Sequence, residues 1–144
     1  YILDALLSTK GEIIIVVDAL LKNMGKKSEK DLVTCDRKFT GNYLLEEKPA
    51  ILKSMNNEFK KKITGQWIGL LKTNPKGSKI LKEQMYRLTK NKNFKNLGMP
   101  DLFNNLIKNK IKINVLYIAG QWLDVNDAFD LAEARKVSWA KSFT

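Results

Sequence analysis

The chain has 144 residues, of which 44% are hydrophobic and 28% charged. That is one domain's worth of chain with a globular composition, which argues against general disorder. The formal charge is +11, histidine is absent, and Cys35 is the single cysteine. Those counts exclude Ser-His-Asp and Cys-His catalysis, imidazole acid–base chemistry, an internal disulfide and an ordinary zinc site. No apolar run is long enough to cross a bilayer, and no secretory signal pattern is present, so a cytoplasmic protein is expected.

The charge is unevenly spread. Residues 63–112 hold 11 basic and 2 acidic residues, whereas residues 113–144 hold 3 and 4. A basic surface draws phosphates of any origin. Of the 26 cations, however, 23 are Lys and only Arg37, Arg87 and Arg135 are Arg. Readers of nucleic acid lean on Arg forks. The charge therefore reads mainly as a solvated surface, and nucleic acid is not the expected partner.

Ile2, Leu3, Leu6 and Leu7 fall at helical spacing, and Lys10-Gly11 ends that helix. Glu12–Asp18 holds five consecutive β-branched apolar residues and predicts a strand buried on both faces. Asp31–Asp36 and Tyr43–Glu46 read as short strands around a turn at 40–42. Residues 47–62 are ambiguous; Pro49 and the apolar residues after it allow a short helix. Ile63–Lys72 is a strand with two glycines, Gly65 and Gly69, each marking a bulge or a close approach. Asn74-Pro75 opens a helix to about Lys90, with Ile80, Leu81, Met85 and Leu88 as its stripe. Pro100–Lys108 is a further helix and Lys112–Ala119 a strand. A final helix runs from Asn126 or Asp127 through Lys136, with Ala128, Leu131, Ala132 and Arg135 along one side. This order predicts a single α/β domain over 1–144, with a mixed, mostly parallel sheet flanked by helices.

The most informative stretch is Gly120–Ala134, GQWLDVNDAFDLAEA. A strand ends, Asp124 follows Trp122 closely, and a helix starts just after. An aspartate at a strand's C-terminal edge lies where α/β proteins bind ligands, and its carboxylate suits Mg²⁺ carrying phosphates. On the residues alone, helix capping by Asp124, Asn126 and Asp127 is the simpler reading. Asp18 also ends a buried strand at such an edge, with turn capping as the plain alternative. Lys72 could meet a phosphate or simply be solvated. Trp67 and Trp122 could wall a pocket or pack in the core. Asp101 reads as a helix-dipole partner and Cys35 as an inert thiol.

The string WLDVNDAFDLAEA resembles the closing motif of nucleotidyltransferases of the sugar-nucleotide pyrophosphorylase type. Gly65-Gln-Trp-Ile-Gly69 is similar to that family's G-E-[FW]-[IT]-G segment, and Met99–Ile107 to the helix before its last strand. Tyr1–Asp18 also resembles the form of these domains associated with phosphoenolpyruvate mutase in phosphonate metabolism. The resemblance covers most of the chain in order. It implies a partial nucleotidyltransferase, Rossmann-like fold, with the chain as the C-terminal part of a larger domain. It further implies transfer of a nucleotidyl group from an NTP to a phosphorylated or phosphonate acceptor, releasing pyrophosphate. Asp124 would hold Mg²⁺, and Gln66, Trp67, Gly69 and Trp122 would line the acceptor pocket. Asp18, Lys72 and Asn126 are the secondary candidates. Gln66 stands where the family has Glu, and the family's Gly-rich loop, catalytic Lys-Pro pair and second metal aspartate have no counterpart here. The fragment is therefore expected to be inactive alone and, through an exposed sheet edge, to dimerise. The alternatives are a catalytically silent interaction or regulatory domain and a basic nucleic-acid-binding module.

Overall fold

The computed structural model describes residues 1–20, 31–41, 48–56, 62–120, 122, 125 and 128–141, with side chains as far as Lys136. Helix α1 spans Ile2–Ser8 and strand β1 Ile13–Asp18; β2 is Leu32–Cys35 and β3 Ala50–Met55. Strand β4, Gly65–Thr73, leads into α2, Pro75–Thr89. A 3-10 turn at Phe94–Asn96 precedes α3, Met99–Lys108. Strand β5, Asn114–Ile118, and α4, Ala128–Lys141, complete the order.

The expectation of a mixed, mostly parallel open sheet of Rossmann-like type is corrected here. The strands close into a five-stranded barrel in the order β1-β4-β2-β3-β5. Among the described pairings only β1–β5 is parallel; β1–β4, β2–β4, β2–β3 and β3–β5 are antiparallel. Closure depends on the segment read as an ambiguous helix. Ala50–Met55 is extended, pairs with β2 through Cys35↔Leu52 and reaches β5 through Ala50↔Val115. The side chain of Asn104 on α3 holds the far end of β3, accepting from Met55 N at 2.9 Å and donating to Met55 O at 2.8 Å. A barrel has no free edge, so the argument for a dimer through an exposed edge falls with the open sheet.

All six residues of β1 are buried. Complete burial of a Val or Ile side chain contributes about 1.5–3 kcal/mol, so this strand organises the fold. One face, Ile13, Ile15 and Val17, joins a core with Val33, Leu52, Met55, Val115 and Tyr117, closed by Leu102, Phe103 and Leu106 of α3. The other face, Ile14 and Val16, packs with Leu6 of α1 and Ile118, flanked by Ile68, Leu70 and Trp122.

Local signals place the rest. Asn74 Oδ1 accepts from Gly77 N at 2.8 Å, capping α2 with Pro75 in its first turn. Asp101 Oδ2 accepts from Gly98 N at 2.7 Å at the start of α3, the helix-end role expected of it. The α2 stripe is partly realised: Ile80, Leu81 and Leu88 pack on the core, while Met85 is exposed and Gln84 is buried instead. Gln84 Oε1 accepts from Asn109 Nδ2 at 3.1 Å, which explains its inward position. Helix α4 runs beyond the expected Lys136, and the residues expected to form its apolar stripe, Ala128, Leu131 and Ala132, are exposed. The expected strand Tyr43–Glu46 and the cap at Asn126 or Asp127 lie outside the described residues.

Candidate functional site

The ends of β1, β4 and β5 meet at Asp18. In the ladder Asp18 pairs with Gln66 of β4 on one side and Ile118 of β5 on the other. Directly paired residues of an antiparallel ladder project to one face, so Gln66 lies beside Asp18. Both are buried.

The Asp18 carboxylate is held by three donors. Oδ1 accepts from Leu20 N at 3.0 Å and from Gly120 N at 2.9 Å. Oδ2 accepts from the indole Nε1 of Trp122 at 2.8 Å. The first contact turns the chain after β1, the capping role read from sequence. The other two tie the exit of β5 to β1 across about a hundred residues of sequence. Bonds to a charged acceptor are the stronger kind, about 1.5–3 kcal/mol each, so this junction fixes Trp122.

The glycines of β4 act as the strand pattern implied. A Cβ on Gly65 would collide with Val17 Cγ1 and lie 2.6 Å from Asp18 O, so β4 approaches β1 closely at this point. Gly69 has φ +84° and sits where the register slips, with Ile15 opposite Leu71 but Val17 opposite Trp67. That slip is a bulge, and the left-handed conformation it needs suits glycine. Trp67 spans it, its Nε1 donating to Leu70 O at 3.0 Å. Its ring meets Phe103 edge-on, 5.1 Å between centroids at 85°. Trp67 is thus committed to the core face, opposite the face that Asp18 and Gln66 share.

The other predicted residues are placed as follows. Trp122 is part-buried and bonded to Asp18. Lys72 lies further along β4, paired with Ile14 rather than near Asp18. Its Nζ donates to Leu6 O at 3.0 Å, Leu7 O at 2.6 Å and Thr9 O at 2.7 Å, closing the C-terminus of α1. It is a helix cap. Asp124 and Asn126 lie outside the described residues.

The expected Mg²⁺ can be tested on the donor set. Both lone-pair directions of Asp18 Oδ1 are taken by backbone N–H groups, and Oδ2 is engaged by the indole. Among the described residues no group of three Cys, Asp and Glu side chains could hold a metal ion. Asp18 is therefore built to anchor rather than to coordinate.

A second polar group, invisible in the sequence, joins side chains of β2 and β5 across the core. Cys35 is buried, and its thiol hydrogen-bonds with Thr64 and Tyr117. Burial pushes the thiol above its ordinary range, more than these hydrogen bonds lower it; Asp36 adds to the rise. Burial likewise raises the Tyr117 phenol, helped by Cys35. The Tyr117 hydroxyl donates to Arg37 O at 2.7 Å, and the Phe39 ring lies against Tyr117 at 5.8 Å. An inert thiol is the result that Cys35's sequence surroundings implied.

No protein-family model matches the chain, and no curated protein matches it. Among the described residues no helix is long and apolar enough to cross a membrane.

Proposed function

We propose that this chain carries the acceptor side of a nucleotidyl-transfer site, receiving a phosphorylated or phosphonate acceptor beside a nucleotide. One observation carries the reading. Two segments picked out by the sequence resemblance, 65–69 and 120–134, meet at Asp18: Gln66 as its ladder partner and Trp122 as its indole donor. The reading concerns this junction and does not call for an open sheet.

In such a reaction an acceptor oxyanion attacks the α-phosphorus, the new P–O bond forms and the bond to pyrophosphate breaks. Gln66 supplies a neutral side chain with both a donor and an acceptor, suited to orienting an acceptor rather than to proton transfer. Asp18 holds Trp122 in place. Mg²⁺, where bound, neutralises phosphate charge, and Asp124 is the residue that would hold it.

Calorimetry with CTP and 2-aminoethylphosphonate, with and without Mg²⁺, tests the reading. The expected result is weak acceptor binding that falls about tenfold in Gln66→Leu, one lost hydrogen-bonding group. Nucleotide binding should need Mg²⁺ and be lost in Asp124→Ala. A folded chain that binds neither ligand overturns the proposal.

A second reading has its own observation. Tyr86 and Phe94 are exposed among Lys82, Arg87, Lys90, Lys92 and Lys95, with Lys90 Nζ 4.7 Å from the Tyr86 ring centre. Exposed rings among cations form a platform for single-stranded nucleic acid. Steeply salt-dependent oligonucleotide binding, weakened by Tyr86→Ala, would favour it.

A further inference from the structure

Arg37 is one of three arginines in a chain with 23 lysines. Its backbone is held between two strands. The preceding Asp36 donates N–H to Ile51 O at 2.9 Å and accepts Ile51 N on Oδ1 at 2.8 Å, and Tyr117 donates to Arg37 O. Yet Nε and Nη2 of its guanidinium are buried with no hydrogen-bond partner among the described residues. A guanidinium does not shed its proton in a protein. Burying guanidinium N–H groups without hydrogen-bond partners is costly, because their hydration is lost and nothing replaces it. Nε and Nη2 are also the edge that grips an oxyanion with two parallel N–H bonds.

The position matters as much as the vacancy in the bonding. Strands β1, β2 and β5 run in one direction and β3 and β4 in the other. Arg37 follows the end of β2 and touches Tyr117, next to Ile118, the ladder partner of Asp18. It therefore sits at the same end of the barrel as Asp18 and Gln66. Arg37 keeps part of its surface, and Asp36, Lys38 and Thr40 around it are exposed.

We infer that Arg37 is the anchor of a tetrahedral oxyanion, a phosphonate or phosphate group, held side-on through Nε and Nη2. The inference rests on the proposed function in naming the acceptor's anionic group as the occupant; the anion site itself does not.

The three arginines give three Nε–Hε resonances, which makes the test direct. Inorganic phosphate, methylphosphonate, 2-aminoethylphosphonate and acetate are titrated separately to about 10 mM, which saturates a site of submillimolar affinity. One Nε–Hε resonance, absent from Arg37→Lys, should shift with the tetrahedral anions. Arg37→Lys keeps the charge and loses the fork, and should weaken binding at least tenfold. Arg37→Met should lose the phosphate-dependent rise in Tm while remaining at least as stable without phosphate, because it removes two buried N–H groups that have no partner. Tighter binding of 2-aminoethylphosphonate than of inorganic phosphate supports the acceptor as occupant; the reverse overturns that occupant. No shift of the Arg37 resonance, an equal Tm rise in Arg37→Met, or acetate binding as well as phosphate overturns the site. Inorganic phosphate binding at Arg37 in a chain that binds neither CTP nor 2-aminoethylphosphonate would leave the site standing and refute the transferase reading.

Discussion

Substituting Asp18→Asn preserves shape and removes one acceptor. The carboxylate now serves three donors: two backbone amides on Oδ1 and the Trp122 indole on Oδ2. A side-chain amide has one oxygen. Whichever way it turns, its NH₂ group faces an N–H, either the indole or the pair of backbone amides. If the oxygen stays with Leu20 and Gly120, the indole bond is lost, about 1.5–3 kcal/mol, and the other two fall from charged to neutral strength, about 1 kcal/mol together. The expected loss is about 2.5–4 kcal/mol, large against a typical domain stability of about 5–15 kcal/mol but short of unfolding the chain. Urea denaturation followed by tryptophan emission measures it. Trp122→Phe removes the conflicting donor. The double variant should therefore be more stable than additivity predicts, by about 1.5 kcal/mol. An Asp18→Asn loss below about 0.5 kcal/mol, or strict additivity in the cycle, would refute the idea that this carboxylate ties β1 to the exit of β5.

Two more expectations follow from burial and capping. Lys72→Met keeps the aliphatic stem and deletes the ammonium that closes α1. It should cost about 1–2 kcal/mol and speed hydrogen exchange in residues 2–9 before the rest of the chain; unchanged exchange there would mean the three carbonyl contacts contribute nothing. The raised Cys35 thiol favours its protonated form in the folded state. Its stabilising contribution is complete below the unfolded thiol value of about 8.5 and is lost as pH rises from there through the folded value, at up to 1.36 kcal/mol per pH unit. Urea midpoints from pH 7 to 10 should fall across that window, and Cys35→Ala should flatten the first part of the decline; identical slopes in both proteins would contradict the assignment.

What was readable from the sequence was local. The β-branched run of β1, the Asn74-Pro75 helix start and the paired glycines of β4 each state their conformation through side-chain chemistry within a few residues. Closure of the sheet is not local. A fully apolar strand says only that both faces are covered. The middle of an open α/β sheet meets that requirement, and so does a small barrel with α1 packed on one face of β1 and the shared core on the other. The deciding element was Ala50–Met55, where Pro49 and Lys53 blur the alternation that would mark a strand. Its pairing with both β2 and β5 is set by partners far away in sequence. The candidate site divides the same way. Asp18 at the strand end and Trp122 after a strand were legible from local signals, whereas Gln66 was picked out by the resemblance of residues 65–69. Their meeting was not legible, and neither was the diversion of Lys72 to cap α1, 63 to 66 residues away in sequence. Arg37 left the faintest trace. Its rarity among lysines was visible, but an unpaired guanidinium is a statement about what surrounds it, and only the folded chain contains that information.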